Sequence, residues 1–174
     1  MSQEFIEQFC KGLEGQIRLD NKGVIALRRS YGKLLTDENV NMQAVSTFYK
    51  VLPDGVSKKD ESTYFLCAVI AAYQGTCYGE KTLSQLVRAR ISDSSTFESK
   101  FNHILDLDAV DELYYDSLYS LIKRLGIRES ENKGTKLDIT KLLQDILYWE
   151  YRSIERESKP QKWAREVYQR KGEQ

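Results

Sequence analysis

Apolar residues recur along this chain at intervals of three and four, the spacing that lines one face of an α-helix. No convincing run of strict alternation bounded by turns interrupts that pattern. The periodicity predicts a first helix over residues 3–13 and a second over 22–35. A short third helix over 42–52 stops before Pro53, because the residue ahead of a proline is disfavoured in helix. The turn Pro53-Asp54-Gly55 leads on to Asp60, the expected N-cap of a helix over 61–74. That segment, ESTYFLCAVIAAYQ, is apolar on most sides and reads as the central core helix, with Gly75 as its stop. Thr82 and Gln85 have capping-box spacing and open 82–90, and Ser95 and Glu98 repeat the signature and open 95–105. Asp108 is expected to cap a long helix to residue 125, closed by Gly126. Asp138 caps a helix over 139–151, and a last one begins near Pro160, which a first turn accepts, and carries Trp163 and Tyr168.

The expected fold is therefore all-α, a compact multi-helix bundle of eight or nine helices in one domain over 1–174. The polar loop after residue 126 offers the alternative, two closely packed subdomains divided near 126–137. The apolar faces place Phe65, Leu66, Val69, Ile70, Leu83, Leu86, Phe101, Leu105, Leu118, Leu121, Leu142 and Ile146 in the core, and Trp163 as the anchor of the last helix. With 174 residues the chain is long enough to bury such a core.

Composition adds limits. The chain is 41% hydrophobic and 30% charged, as a globular protein is. Its 26 Lys and Arg balance 26 Asp and Glu, unlike a free-standing DNA-binding domain, which is typically basic. A subunit that turns one basic face to nucleic acid and other faces to protein remains compatible with that balance. Cys10, Cys67 and Cys77 share no CxxC spacing and read as free thiols of a reducing cytoplasm. The N-terminus lacks the apolar stretch of a signal peptide, and the longest apolar run, 65–73, is about half of what a spanning helix needs. The expectation is a cytoplasmic chain with no membrane partner.

Templates for catalysis fail. His103 is the sole histidine, with no HExxH and no cysteine at ligand spacing. There is no GxGxxG, no GxxxxGK[ST] and no GxSxG. Asp106, Asp108, Asp111 and Glu112 suggest magnesium at first sight, but they lie at a helix start, where acids complement the dipole. Tyrosines such as Tyr114, Tyr115 and Tyr119, at helical spacing, read as core or interface before they read as base-stacking platforms. No catalytic residue, metal site or cofactor is expected.

What remains is a basic ridge. The segment ALRRSYGKLL, 26–35, holds Arg28, Arg29 and Lys33 and no acid, and Lys22 precedes it. Drawn as a helix, Val24, Leu27, Tyr31, Leu34 and Leu35 share the apolar face, while Lys22, Ala26, Arg29 and Lys33 form a stripe away from it. Arg28 and Gly32 share the adjacent stripe. A cationic ridge beside a glycine that lets another backbone approach suits a phosphate chain; the competing reading is a solvated face with a local charge imbalance.

Three blocks, in order, resemble the CasB family, the small subunit of the type I-E CRISPR Cascade surveillance complex. The first is ALRRSYGKLL with FYKVLP at 48–53. The second is TYFLCAVIAAY with TLSQLVRAR at 82–90 and FESKFNHILDLD at 97–108. The third is IKRLG and LDITKLLQDILYWEY with the closing PQKWAREVYQR at 160–170. The resemblance implies an all-helical, non-enzymatic subunit in antiviral defence. It implies as partners the Cascade backbone and large subunits, a second copy of the chain, guide RNA and target DNA. The nucleic acid would be held by its backbone, because guide pairing reads sequence. The residues it implies for nucleic-acid binding are Arg28 and Arg29, with Lys33 on the same ridge, then Arg88, Lys100, Lys162 and Arg165. Ser84 stands where the family carries a glycine, and Gln85, Ala89 and Arg90 also depart from its pattern. A pure protein–protein assembly subunit, with the ridge meeting an acidic protein, is the alternative.

Overall fold

The computed structural model describes residues 3–128 and 135–169. Among them are nine α-helices and no strand: α1 (Gln3–Leu19), α2 (Lys22–Arg29), α3 (Met42–Val51), α4 (Glu61–Gln74), α5 (Leu83–Arg90), α6 (Ser95–Leu105), α7 (Glu112–Lys123), α8 (Ile139–Leu147) and α9 (Lys159–Tyr168). Helix α4 is the axis of the molecule. Ten consecutive residues, Thr63 to Ala72, are buried on it, as its all-round apolar sequence requires. Helices α2 and α8 pack on α4, and α1 lies against α3 and α8.

Aromatic rings fix two centres of this core. Phe9 meets Phe48 and Tyr64 edge-on at 6.1 and 5.0 Å, and Phe48 meets Phe65 at 5.3 Å. On the other side Trp149 stacks edge-on with Tyr114 at 5.1 Å and with Trp163 at 4.8 Å. Trp163 is 1% exposed and does anchor α9, as its place in the sequence predicts. One hydrophobic cluster, from Ile6 to Val167, draws on residues from both sides of 126–137. The Gln74 side chain ties those sides together at the end of α4, donating to the Leu137 carbonyl at 2.7 Å and accepting from the Leu137 amide at 2.8 Å. Of the expected polar loop, residues 129–134 lie outside the described residues.

Several helix ends differ from expectation for physical reasons. Helix α1 runs six residues further, to Leu19. Helix α2 ends at Arg29 rather than 35, because the buried Ser30 hydroxyl takes the Ala26 carbonyl at 2.7 Å and Gly32 turns the chain at φ +91°. Ala26, expected on the exposed stripe, is buried, because α2 packs on both α3 and α4. Asp60 does not cap α4: it is helical itself, in a short 3-10 turn, Lys58–Asp60, and its carboxylate accepts from the Ser57 hydroxyl at 2.9 Å. Ser94 rather than Ser95 caps α6, and Asp111 rather than Asp108 caps α7, which ends at Lys123. Helix α8 stops at Leu147, short of 151. The Thr82–Gln85 capping box, the Asp138 cap, the Gly75 stop and Pro160 in the first turn of α9 form as predicted. Eleven of the twelve expected core residues are buried, and Leu105 is half-buried.

Candidate nucleic-acid interface

The sequence-predicted cations fall into three settings. The first is the C-terminal turn of α2. Arg28 points inward from it. Its Nε donates to the Ala72 carbonyl at 3.1 Å, one of the carbonyls that the end of α4 leaves without a helical partner, and its guanidinium pairs with Asp20 at 3.2 Å. Its side chain is 28% exposed. Arg29 is exposed and Lys33 half-buried, and neither side chain has a hydrogen bond or ion pair among the described residues. Arg29 also sits where a cation complements the helix dipole, so part of its charge answers to α2 itself. The turn is clamped to α7: the Tyr119 hydroxyl donates to the Lys33 carbonyl at 2.8 Å, and the Tyr31 hydroxyl donates to the Tyr119 carbonyl at 2.6 Å. Burial raises the Tyr31 and Tyr119 hydroxyls well above the usual tyrosine range, so both stay protonated donors.

The second setting is the side of α6 that faces α7. Lys100 is half-buried there and donates to the Ser120 hydroxyl at 3.0 Å, one residue beyond Tyr119. The Lys33 carbonyl and the Lys100 ammonium thus meet the side chains of consecutive α7 residues. Arg29 and Lys33 are the expected site residues that share the end of α2 and the turn after it, while Lys100 lies on α6.

The third setting is α9. Arg88, exposed on α5, donates to the Glu166 carbonyl at 3.0 Å and to the Gln169 carbonyl, and so closes the C-terminal end of α9. Arg165 holds Glu157 with two parallel bonds of 2.8 Å, and these pull the Glu157 carboxyl below its ordinary range. Lys162 lies 3.6 Å and Lys159 3.3 Å from Oδ1 of Asp145, whose Oδ2 accepts from the Trp163 indole at 2.9 Å. Asp145 is 5% exposed. Burial and the neighbouring Lys162 push the Lys141 ammonium below its ordinary range, with Asp145 opposing. Asp145 sits in the apolar run LLQDIL, and sequence reasoning missed both its burial and the lysines it gathers. An acid inside an apolar run was the signal available.

Sequence reasoning also missed that Lys100 opens onto a groove between α6 and α7 that includes His103. The spacing Thr96, Ser99, Lys100, His103 was the available signal, being one helical stripe. The acids at the start of α7 serve structure: Asp111 accepts from the Tyr114 amide at 3.2 Å, and Asp108 lies 3.9 Å from Arg152. Among the described residues no group of three or more His, Cys, Asp or Glu could hold a metal ion, and no helix is long and apolar enough to cross a membrane.

The sequence model of the family described as CRISPR-associated protein Cse2 matches residues 25–168. Two crystal structures share the fold. A Cse2-family CRISPR-associated protein from Thermus thermophilus superposes with a TM-score of 0.68 at 23% identity, over 94% of this chain and 97% of that one. CasB from Thermus thermophilus superposes with a TM-score of 0.67 at 22% identity and the same coverage, 94% and 97%. No curated protein sequence matches the chain.

Proposed function

The chain belongs to the Cse2 family of CRISPR-associated proteins, subunits of Cascade in CRISPR defence, and we propose that it acts there without catalysis, holding target and displaced DNA strands beside the guide RNA through their phosphates. The observation that carries this reading is the pair Arg29 and Lys33, two cations at a clamped turn whose side chains have no hydrogen bond or ion pair among the described residues. Lys100, which donates to Ser120 of α7, is read as a further phosphate contact. Phosphate contacts position a strand without reading it, which is all that a complex guided by base pairing asks of such a subunit. A chain with no net charge attracts nucleic acid weakly on its own. The assembled complex, with its backbone and large subunits and a second copy of this chain, supplies the effective concentration that makes weak contacts count.

The second reading, assembly by protein contacts alone, is favoured by the engagement of Arg28, Arg88, Lys162 and Arg165 within the fold and by the exposure of Tyr151 and Ile154 between α8 and α9. The double variant Arg29→Glu, Lys33→Glu separates the two. In a complex verified to carry the variant subunit at normal stoichiometry, target affinity falls. Loss of the subunit from the complex would favour the assembly reading, and unchanged affinity would refute the phosphate role.

A further inference from the structure

The groove between α6 and α7 holds about 440 Å³ and presents an unusual set of side chains. Thr96, Ser99, Lys100 and His103 line it from α6, and Asp116, Ser117 and Ser120 from α7. Four of the seven are hydroxyls, which donate readily to an anion. Lys100 is fixed across the groove by its bond to Ser120 at 3.0 Å. The sum of charge is what decides its use. Lys100 and Asp116 cancel, so with neutral His103 the groove has no net attraction for an anion, and with His103 protonated it carries one positive charge.

We propose that this groove is a proton-linked phosphate seat, in which Lys100 and protonated His103 take the anion and the hydroxyls of Ser99 and Ser120 orient it. The seat rests on the nucleic-acid reading above and extends it, because Ser120 adjoins Tyr119, which holds the Lys33 turn. The phosphate belongs either to a strand backbone or to a free or terminal phosphate group. Glu98 and Lys100 are the charged groups of His103's own helix, Asp106 is its C-cap, and Asp116 lines the groove from α7. On α9, Tyr168 packs near, its hydroxyl on Glu98 and Asn102 at 3.1 Å. Phosphate binding therefore raises the midpoint of His103 titration, and protonation of His103 tightens phosphate binding.

His103 is the only histidine of the chain, so one imidazole proton resonance reports it. The test follows that resonance through a pH titration of the full chain alone, with an unphosphorylated ten-residue oligothymidylate, and with inorganic phosphate. The expected result is a midpoint raised by about half a unit, equivalent to about threefold tighter binding to the protonated form. That rise should vanish in Lys100→Gln. A rise with both probes assigns the seat to the strand backbone, and a rise with inorganic phosphate alone assigns it to a free or terminal phosphate. No rise with either, or a rise that persists in Lys100→Gln, overturns the proposal. As a second readout, oligothymidylate affinity should be about threefold higher at pH 6 than at pH 8, and flat with pH in His103→Gln; a slope surviving in His103→Gln would sink it. In Arg29→Glu, Lys33→Glu the His103 response to inorganic phosphate should persist, so failure of the strand-holding reading and failure of the seat are distinguishable.

Discussion

Lys162 and Arg165 on α9, and Arg29 and Lys33 at the end of α2, carry the same charge into opposite surroundings. On α9 the cations close the fold: Lys162 attends the buried Asp145, Arg165 grips Glu157, and Arg88 reaches from α5 to the last carbonyls of the helix. At the end of α2 the backbone is held too, by Tyr31 and Tyr119, but the charged groups of Arg29 and Lys33 have no partner among the described residues. A basic residue therefore signals a binding surface only where the fold leaves it no carboxylate or carbonyl of its own. Arg28 and Arg29 show the contrast between neighbours in the chain, one turned onto the end of α4 and the other onto solvent.

The comparison can be broken from the committed side. Trp163→Ala removes the ring that joins Trp149 and the hydrogen bond to Asp145, and should lower stability by about 3–5 kcal/mol, read as a fall in the denaturant midpoint. Thermal stability left unchanged would mean that α9 does not depend on this anchor. Asp145→Asn should cost about 2 kcal/mol, less than a fully buried pair, because Lys159 and Lys162 keep some solvent. It should also release Lys162, so that binding of single-stranded DNA by the isolated chain rises; binding that does not rise would show that release of Lys162 adds no contact. Gly79 tests the base on which α8 stands. A methyl group there would lie 2.2 Å from the Lys136 carbonyl, so Gly79→Ala should destabilise by about 1–3 kcal/mol in chemical unfolding. The smallest contrast is the sharpest. Arg28→Ala should cost about 1–2 kcal/mol through the lost bond to Ala72, and Arg29→Ala less than about 0.5 kcal/mol. Equal costs would erase the distinction between the two arginines.

What the sequence disclosed and what it hid follow the range of the forces involved. Helix α4 was legible because an all-round apolar segment can only be a core helix, and the caps at Thr82 and Asp138 were legible because a cap acts within three residues. Trp163 was legible as an anchor by its size alone. The end of α2 was hidden, since three local signals compete there and the Ser30 bond and the Gly32 turn prevail over continued periodicity. That shortening moved Lys33 from a helical stripe to a turn. Asp60 was hidden in the same way, because Ser57 offered its carboxylate a nearer partner than the α4 amides. At the candidate site the composition of the ridge was readable, but its division was not. Arg28 meets Ala72 across 44 residues of chain, and Arg88 meets Glu166 across 78. Nothing local to either arginine announces such a partner.

The central claim is that Arg29 and Lys33 meet phosphates, and the salt dependence of target binding tests it most directly. Each phosphate neutralised contributes about 0.7–0.9 to the slope of log affinity against log salt. In assembled complexes of equal stoichiometry, the double variant Arg29→Gln, Lys33→Gln should flatten that slope by about 1.5. The double variant Lys162→Gln, Arg165→Gln should leave the slope unchanged, because those cations are already engaged inside the fold. A slope that Arg29→Gln, Lys33→Gln leaves intact would contradict the account.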